Sequence, residues 1–163
     1  LGAIVPPLVG RLGDSKVVVR QANARVLARL MSSLRPHAVV QALAPALSHE
    51  SWRVREEVLN VHAHALLTYG RDELDLGALV PRLAARAAAD SKERVRWVAG
   101  EALACAHAQA SDQVSALLAG EPEELRARLR DRFALGPSAL PRVGVDGLVE
   151  HRQQSPPRDG APP

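Results

Sequence analysis

The chain has 163 residues, 47% apolar and 24% charged, with aromatic side chains at only 2%. That length closes one modest core, and a composition led by alanine, leucine, valine and arginine favours close-packed helices over sheets. The net charge of +3 and pI near 9.7 suit an acidic partner but fall short of a dedicated nucleic-acid binder, and no apolar run is long enough to cross a bilayer. Cys105 stands alone, which excludes an intramolecular disulfide and a cysteine zinc framework and favours a reducing compartment, the cytosol. Leu1 is not an initiator methionine and no charged-then-apolar leader follows, so we expect a stretch of a longer chain.

The predicted elements come from laying the sequence against itself. Three segments superpose: LGDSKVVVRQANARVLARL from Leu12, LSHESWRVREEVLNVHAHA from Leu47, and AADSKERVRWVAGEALACA from Ala88. Their shared pairs Val19-Arg20, Val54-Arg55 and Val95-Arg96 lie 35 and 41 residues apart, the period of two-helix solenoid repeats, and a hairpin of that size buries its apolar face only by stacking on another. Each segment predicts an inner helix. The apolar face is Val19, Ala22, Val26, Leu27 and Leu30 in the first copy, and Val54, Val58, Val61 and Ala65 in the second. In the third it is Val95, Val98, Ala99, Ala102, Leu103 and Ala106.

A shorter apolar stretch with proline precedes each copy, around Pro6-Pro7, Pro45 and Pro81, and predicts an outer helix. Asp14, Ser15, Ser51, Asp90 and Ser91 offer N-cap chemistry at the turn into the inner helix, and Gly70 is a candidate helix stop. Hairpins are expected at 1–33, 35–69 and 75–109, with a weaker fourth at 112–134 opening near Pro122. The array thus spans 1–134. Residues 135–163 hold 6 of the 12 prolines and few large apolar side chains, and are expected to form a disordered tail.

These residues resemble a family. Asp14 six positions before Arg20, and Asp90 six before Arg96, are similar to the HEAT consensus, and LGDSKVVVRQ with SHESWRVREEVL resembles the second and third repeats of TOG domains. The resemblance is to the tubulin-binding arrays related to CLASP and, most of all, to crescerin, the ciliary TOG-array protein; PRVGVDGLVEH resembles the segment that trails a crescerin TOG domain. It implies an all-α solenoid of HEAT-type hairpins, a partial TOG domain, with αβ-tubulin or microtubules as partner and the cytoplasm, cytoskeleton or ciliary axoneme as location. A complete TOG domain is a longer array with an aromatic anchor in its first repeat, and the resemblance implies that these residues start in the second, without that anchor.

By position, the resemblance assigns tubulin contacts to Lys16 and Val17 in the first turn, Ser51, Trp52 and Arg53 in the second, and Lys92, Glu93 and Arg94 in the third. Stacked turns lie about 10 Å apart, so Lys16, Arg53, Lys92 and Arg94 are expected to form one basic ridge. Arg20, Arg55 and Arg96, with Asp14 and Asp90, are read as scaffold, pairing with the aspartate or carbonyls of an adjacent repeat. Trp52 is open between a partner anchor and a cap on its own core, Trp97 is expected between repeats, and Cys105 as a small core residue.

Enzymatic chemistry finds no foothold in the sequence. There is no phosphate loop, no GxSxG elbow and one His-Glu dipeptide, His49-Glu50, where HEAT-type di-iron hydroxylases use several. His62 and His64 are two apart on a helix and point to different faces, so no metal or other cofactor is expected. A DNA-holding array would spread basic residues along its inner helices, where Arg25 and Arg29 are the main candidates. The expectation is a monomeric tubulin-binding module, without nucleic-acid or membrane partners; the alternative is a HEAT scaffold that takes another protein segment along its concave face.

Overall fold

The computed structural model describes residues 1–157; the last six residues of the expected tail lie outside the described residues. Helix α1 (Val5–Leu12) pairs with α2 (Val17–Ser33), and α3 (Pro36–Leu43), continued by a 3₁₀ turn at Ala44–Ser48, pairs with α4 (Trp52–Thr68). Then α5 (Leu76–Ala89) pairs with α6 (Glu93–Gln109), while α7 (Ser111–Leu117) and α8 (Glu123–Ala134) each pack against α6, so the weaker fourth hairpin expected at 112–134 is two helices laid on the third hairpin rather than on each other. The fold is the all-α hairpin solenoid expected from the repeats. Proline opens α1 and α3 where an N–H would have no partner, and Pro45 turns the end of α3 into the 3₁₀ turn. Among the described residues no helix is long and apolar enough to cross a membrane.

The core runs through the inner helices. In α4, Val54, Val58, Val61 and Ala65 are buried, as are Val95, Val98, Ala99, Ala102, Leu103 and Ala106 in α6, each on its predicted face. The first copy departs from expectation: Leu27 is buried together with Met31, but Val26 is 44% exposed and Ala22 is exposed too. No element among the described residues packs over that side of α2, so its outward stripe meets solvent. Gly13 lets the end of α1 rest on the start of α4, since a Cβ there would come within 2.8 Å of Val54 Cγ2.

Helix ends differ from the sequence reading in two ways. The N-cap residues are Lys16, Ser51 and Lys92, none with a side-chain capping bond. Asp14 and Asp90 act two residues earlier instead, accepting the N–H of Lys16 and Lys92 at 2.9 and 3.0 Å. Helix α4 stops because Tyr69 turns extended, not through a left-handed Gly70, and Gln109 of α6 donates to the carbonyls of Leu66 and Tyr69 at that end.

The described part of the tail is ordered, against expectation. After Gly136, whose φ is 74°, come a 3₁₀ turn at Pro137–Ala139 and two antiparallel strands, β1 (Arg142–Val143) and β2 (Val149–Glu150), joined through Gly147 at φ 80°. This strap lies across α4, with Pro141 buried and Leu140 and Val149 packed against the core. Composition pointed to disorder because prolines and glycines dominate there; those residues make a short clamp whose order comes from the surface beneath it.

Candidate functional site

Each turn into an inner helix is built on the same device. Arg20 Nη1 donates to the carbonyls of Asp14 and Ser15 at 2.6 and 3.1 Å, and Arg55 Nη1 to those of His49 and Glu50 at 2.7 and 3.0 Å. Arg96 Nη1 reaches the carbonyl of Asp90 at 2.6 Å. The carbonyls therefore belong to the arginine's own turn, not to an adjacent repeat, because a guanidinium six residues into the helix folds back over the reversal that precedes it. His49 takes the aspartate's place in the second turn, its Nδ1 accepting the Ser51 N–H at 3.0 Å.

Ion pairs also tie the repeats together. Arg55 forms a two-pronged pair with Asp90, Nε to Oδ2 at 2.8 Å and Nη2 to Oδ1 at 2.9 Å, with both groups buried. Burial opposes ionisation of Asp90, but the Arg55 bonds and the Lys92 N–H hold its pKa below the ordinary carboxylate value. Arg20 lies 3.9 Å from Glu57, and the second turn has a histidine where Asp90 stands in the third. Glu56 pairs with Arg94, and Glu101 with Arg132 at 2.5 and 2.9 Å, linking α4 to α6 and α6 to α8.

The rigid turns present a small set of side chains. Lys16 is exposed and Val17 is 50% exposed. Ser51 and Trp52 are half-buried; Trp52 packs partly on the core and carries the Arg53 guanidinium 5.0 Å from its ring centroid, so it both caps the core and reaches the surface. Arg53 and Glu93 are exposed and Lys92 is half-buried.

Arg94 does not join this edge. It turns inward to Glu56 and donates to Ser155 Oγ at 2.9 Å and to the Pro156 carbonyl at 2.7 Å. Its side chain is the anchor of the strap's far end, so the basic ridge expected from sequence loses one of its four members. The pairing with Glu56 was not legible from repeat spacing, because 38 residues separate the partners and the strap contact lies in a segment read as disordered.

The face of the inner helices is occupied by the strap. Arg25 donates to the Asp146 carbonyl at 3.1 Å and pairs with its carboxylate at 3.3 Å, and His151 hydrogen-bonds Asn60 at 2.8 Å while its ring lies 4.8 Å from that of Trp97. Below the strap remains a cavity of about 230 Å³ lined by Gln21, Glu57, Asn60 and His64. Burial lowers the pKa of His64, opposed by its bond to the Gly147 backbone. Of the two basic residues expected on a DNA-holding face, Arg25 is thus tied to an aspartate, while Arg29 is exposed. Cys105 lies in the core, its thiol pushed up to about 12 by burial, which leaves it unreactive.

No protein-family model matches the chain. It is 34% identical over 93% of its length to the mouse TOG array regulator of axonemal microtubules protein 1, of which it spans 9%. It is 42% identical, over 49% of its length, to 6% of an Arabidopsis thaliana CLIP-associated protein. Among solved structures it is similar to a crescerin TOG domain, described as part of an array that regulates microtubules in the primary cilium, with a TM-score of 0.85 and 31% identity over 96% of this chain and 65% of that one. The repeated arginine-clamped turns, the hairpin stack and these likenesses agree: the chain belongs to the TOG-domain family of HEAT-type helical arrays, with crescerin and the CLIP-associated proteins among its relatives.

Proposed function

We propose that the chain is a tubulin- or microtubule-binding module that acts on microtubule dynamics, and that it meets tubulin through the turns between outer and inner helices. The observation that carries this reading is the turn edge itself. Three reversals are stiffened by arginines that fold back on them, two of these buried, and they hold Lys16, Val17, Arg53 and Glu93 exposed with Ser51, Trp52 and Lys92 half-buried beside them. Rigid, pre-ordered side chains lose little entropy on binding, and a Trp-Arg pair at the centre has the make-up of a binding hot spot. Basic residues at this edge complement the acidic surface of tubulin and speed encounter.

Arg94 acts behind the edge in this reading, holding α6 to α4. The module works as a monomer at the cytoskeleton, and the names of its relatives extend the proposal to the ciliary axoneme. The scaffold alternative, a partner segment lying along the inner helices, competes with the strap for the same surface.

Sedimentation of the chain with unpolymerised αβ-tubulin tests the reading. Wild type should form a complex that weakens as salt rises, and the charge-reversed K16E/R53E variant should lose it with its thermal midpoint unchanged. Equal binding by a well-folded K16E/R53E would rule out the turn edge.

A further inference from the structure

Ser155 is the one serine or threonine in the 163 residues that is followed by proline, and it stands in the run Ser155-Pro156-Pro157-Arg158. A proline at the next position removes an N–H and biases the serine towards the extended backbone that a kinase cleft accepts, and a basic residue three positions after the serine completes the pattern of a proline-directed kinase site. Residues 154–157 carry no helix or strand, and Ser155 is partly exposed. This segment is held by side-chain contacts and not by a ladder of backbone bonds, so it can lift locally without unfolding the array.

What surrounds the hydroxyl matters more than the motif. Arg94 Nη1 donates to Ser155 Oγ at 2.9 Å, while Nε of the same guanidinium pairs with the buried Glu56. The two bonds use different nitrogens, so a larger acceptor on Ser155 does not have to displace Glu56. A guanidinium fixed from behind and already lying against a hydroxyl is a ready partner for a phosphate on it, which carries nearly two negative charges and three acceptor oxygens.

We propose that Ser155 is a phosphorylation site for a proline-directed serine/threonine kinase, and that the phosphate fastens the strap to Arg94 across the inner-helix face. In the transfer Ser155 Oγ attacks the γ-phosphorus of ATP and the Oγ–P bond forms as the bond to the β,γ-bridging oxygen breaks. ADP leaves, and the hydroxyl proton passes to the kinase's general base. The inference does not depend on the tubulin reading.

The site is tested by incubating the full chain with ATP and a proline-directed kinase, beside its Ser155→Ala variant, and mapping the phosphate by mass spectrometry. One phosphate on Ser155, absent from Ser155→Ala, is expected; a chain left unmodified at Ser155 overturns the site. The fastening is tested by hydrogen exchange on chain carrying an encoded phosphoserine at 155. Amides of residues 142–155 should exchange about tenfold more slowly than in the unmodified chain. Arg94→Lys, which keeps a charge against Glu56 but gives up the fork, should lose most of that slowing. Equal or faster exchange in the phosphorylated chain, or slowing that Arg94→Lys leaves intact, overturns the fastening.

Discussion

Asp90 does two jobs with one carboxylate: Oδ1 takes the Lys92 N–H and both oxygens face Arg55. Asp90→Asn keeps the shape and can keep the turn bond, but leaves Arg55 buried without its counter-charge, so we expect a loss of about 3 kcal/mol in urea denaturation with an unchanged slope. Asp14→Asn, at a turn whose arginine meets no such carboxylate, should cost less. His62 sets the acid limit. It is fully buried with Nδ1 donating to the Val58 carbonyl at 2.7 Å and Nε2 unpartnered, and burial lowers its pKa to about 4. The unfolded imidazole takes up its proton near 6.5, so the unfolded state binds more protons between these values; stability is full above pH 6.5 and falls as pH drops to 4. His62→Leu should remove on the order of 3 kcal/mol of that pH dependence. Asp90 and Glu101, held below their ordinary values by Arg55 and Arg132 against the cost of burial, contribute stability that is lost only at lower pH, and His62→Leu should leave that second phase in place.

Among the elements, α4 and α6 were legible because every apolar position recurs at helical spacing and a neighbour covers each face. The same spacing overstated α2, whose predicted face includes Ala22 and Val26, both exposed because no element among the described residues stands over them. Periodicity reports what a helix can bury, while exposure depends on what stands opposite. The strap was missed for the converse reason, since its strands are two residues each and its fixed points are single long-range contacts from Asp146, His151 and Ser155. Ending the chain at residue 136 removes the buried Pro141 and the packed Leu140 and Val149, and should cost about 2–4 kcal/mol in thermal or urea unfolding while helical circular dichroism is retained. Unchanged stability would mean that the strap only rests on the inner helices.

For the whole molecule, the hairpin stack followed from the 35- and 41-residue recurrences, and the turn edge from the register they imply. What recurrence did not reveal was the division of labour among the basic residues, because Lys16 and Arg53 face solvent while Arg94 serves the interior, a distinction made by tertiary partners and not by spacing. We therefore propose that the turns meet the partner and that the strap closes the inner face. Hydrogen–deuterium exchange of the chain with and without excess αβ-tubulin tests that division most directly. Protection confined to residues 14–19, 50–55 and 90–95, with the inner helices and strap unchanged, is the predicted result. Protection of the inner faces of α2, α4 and α6 together with release of the strap, or no protection at a tubulin concentration that binds related arrays, would contradict it.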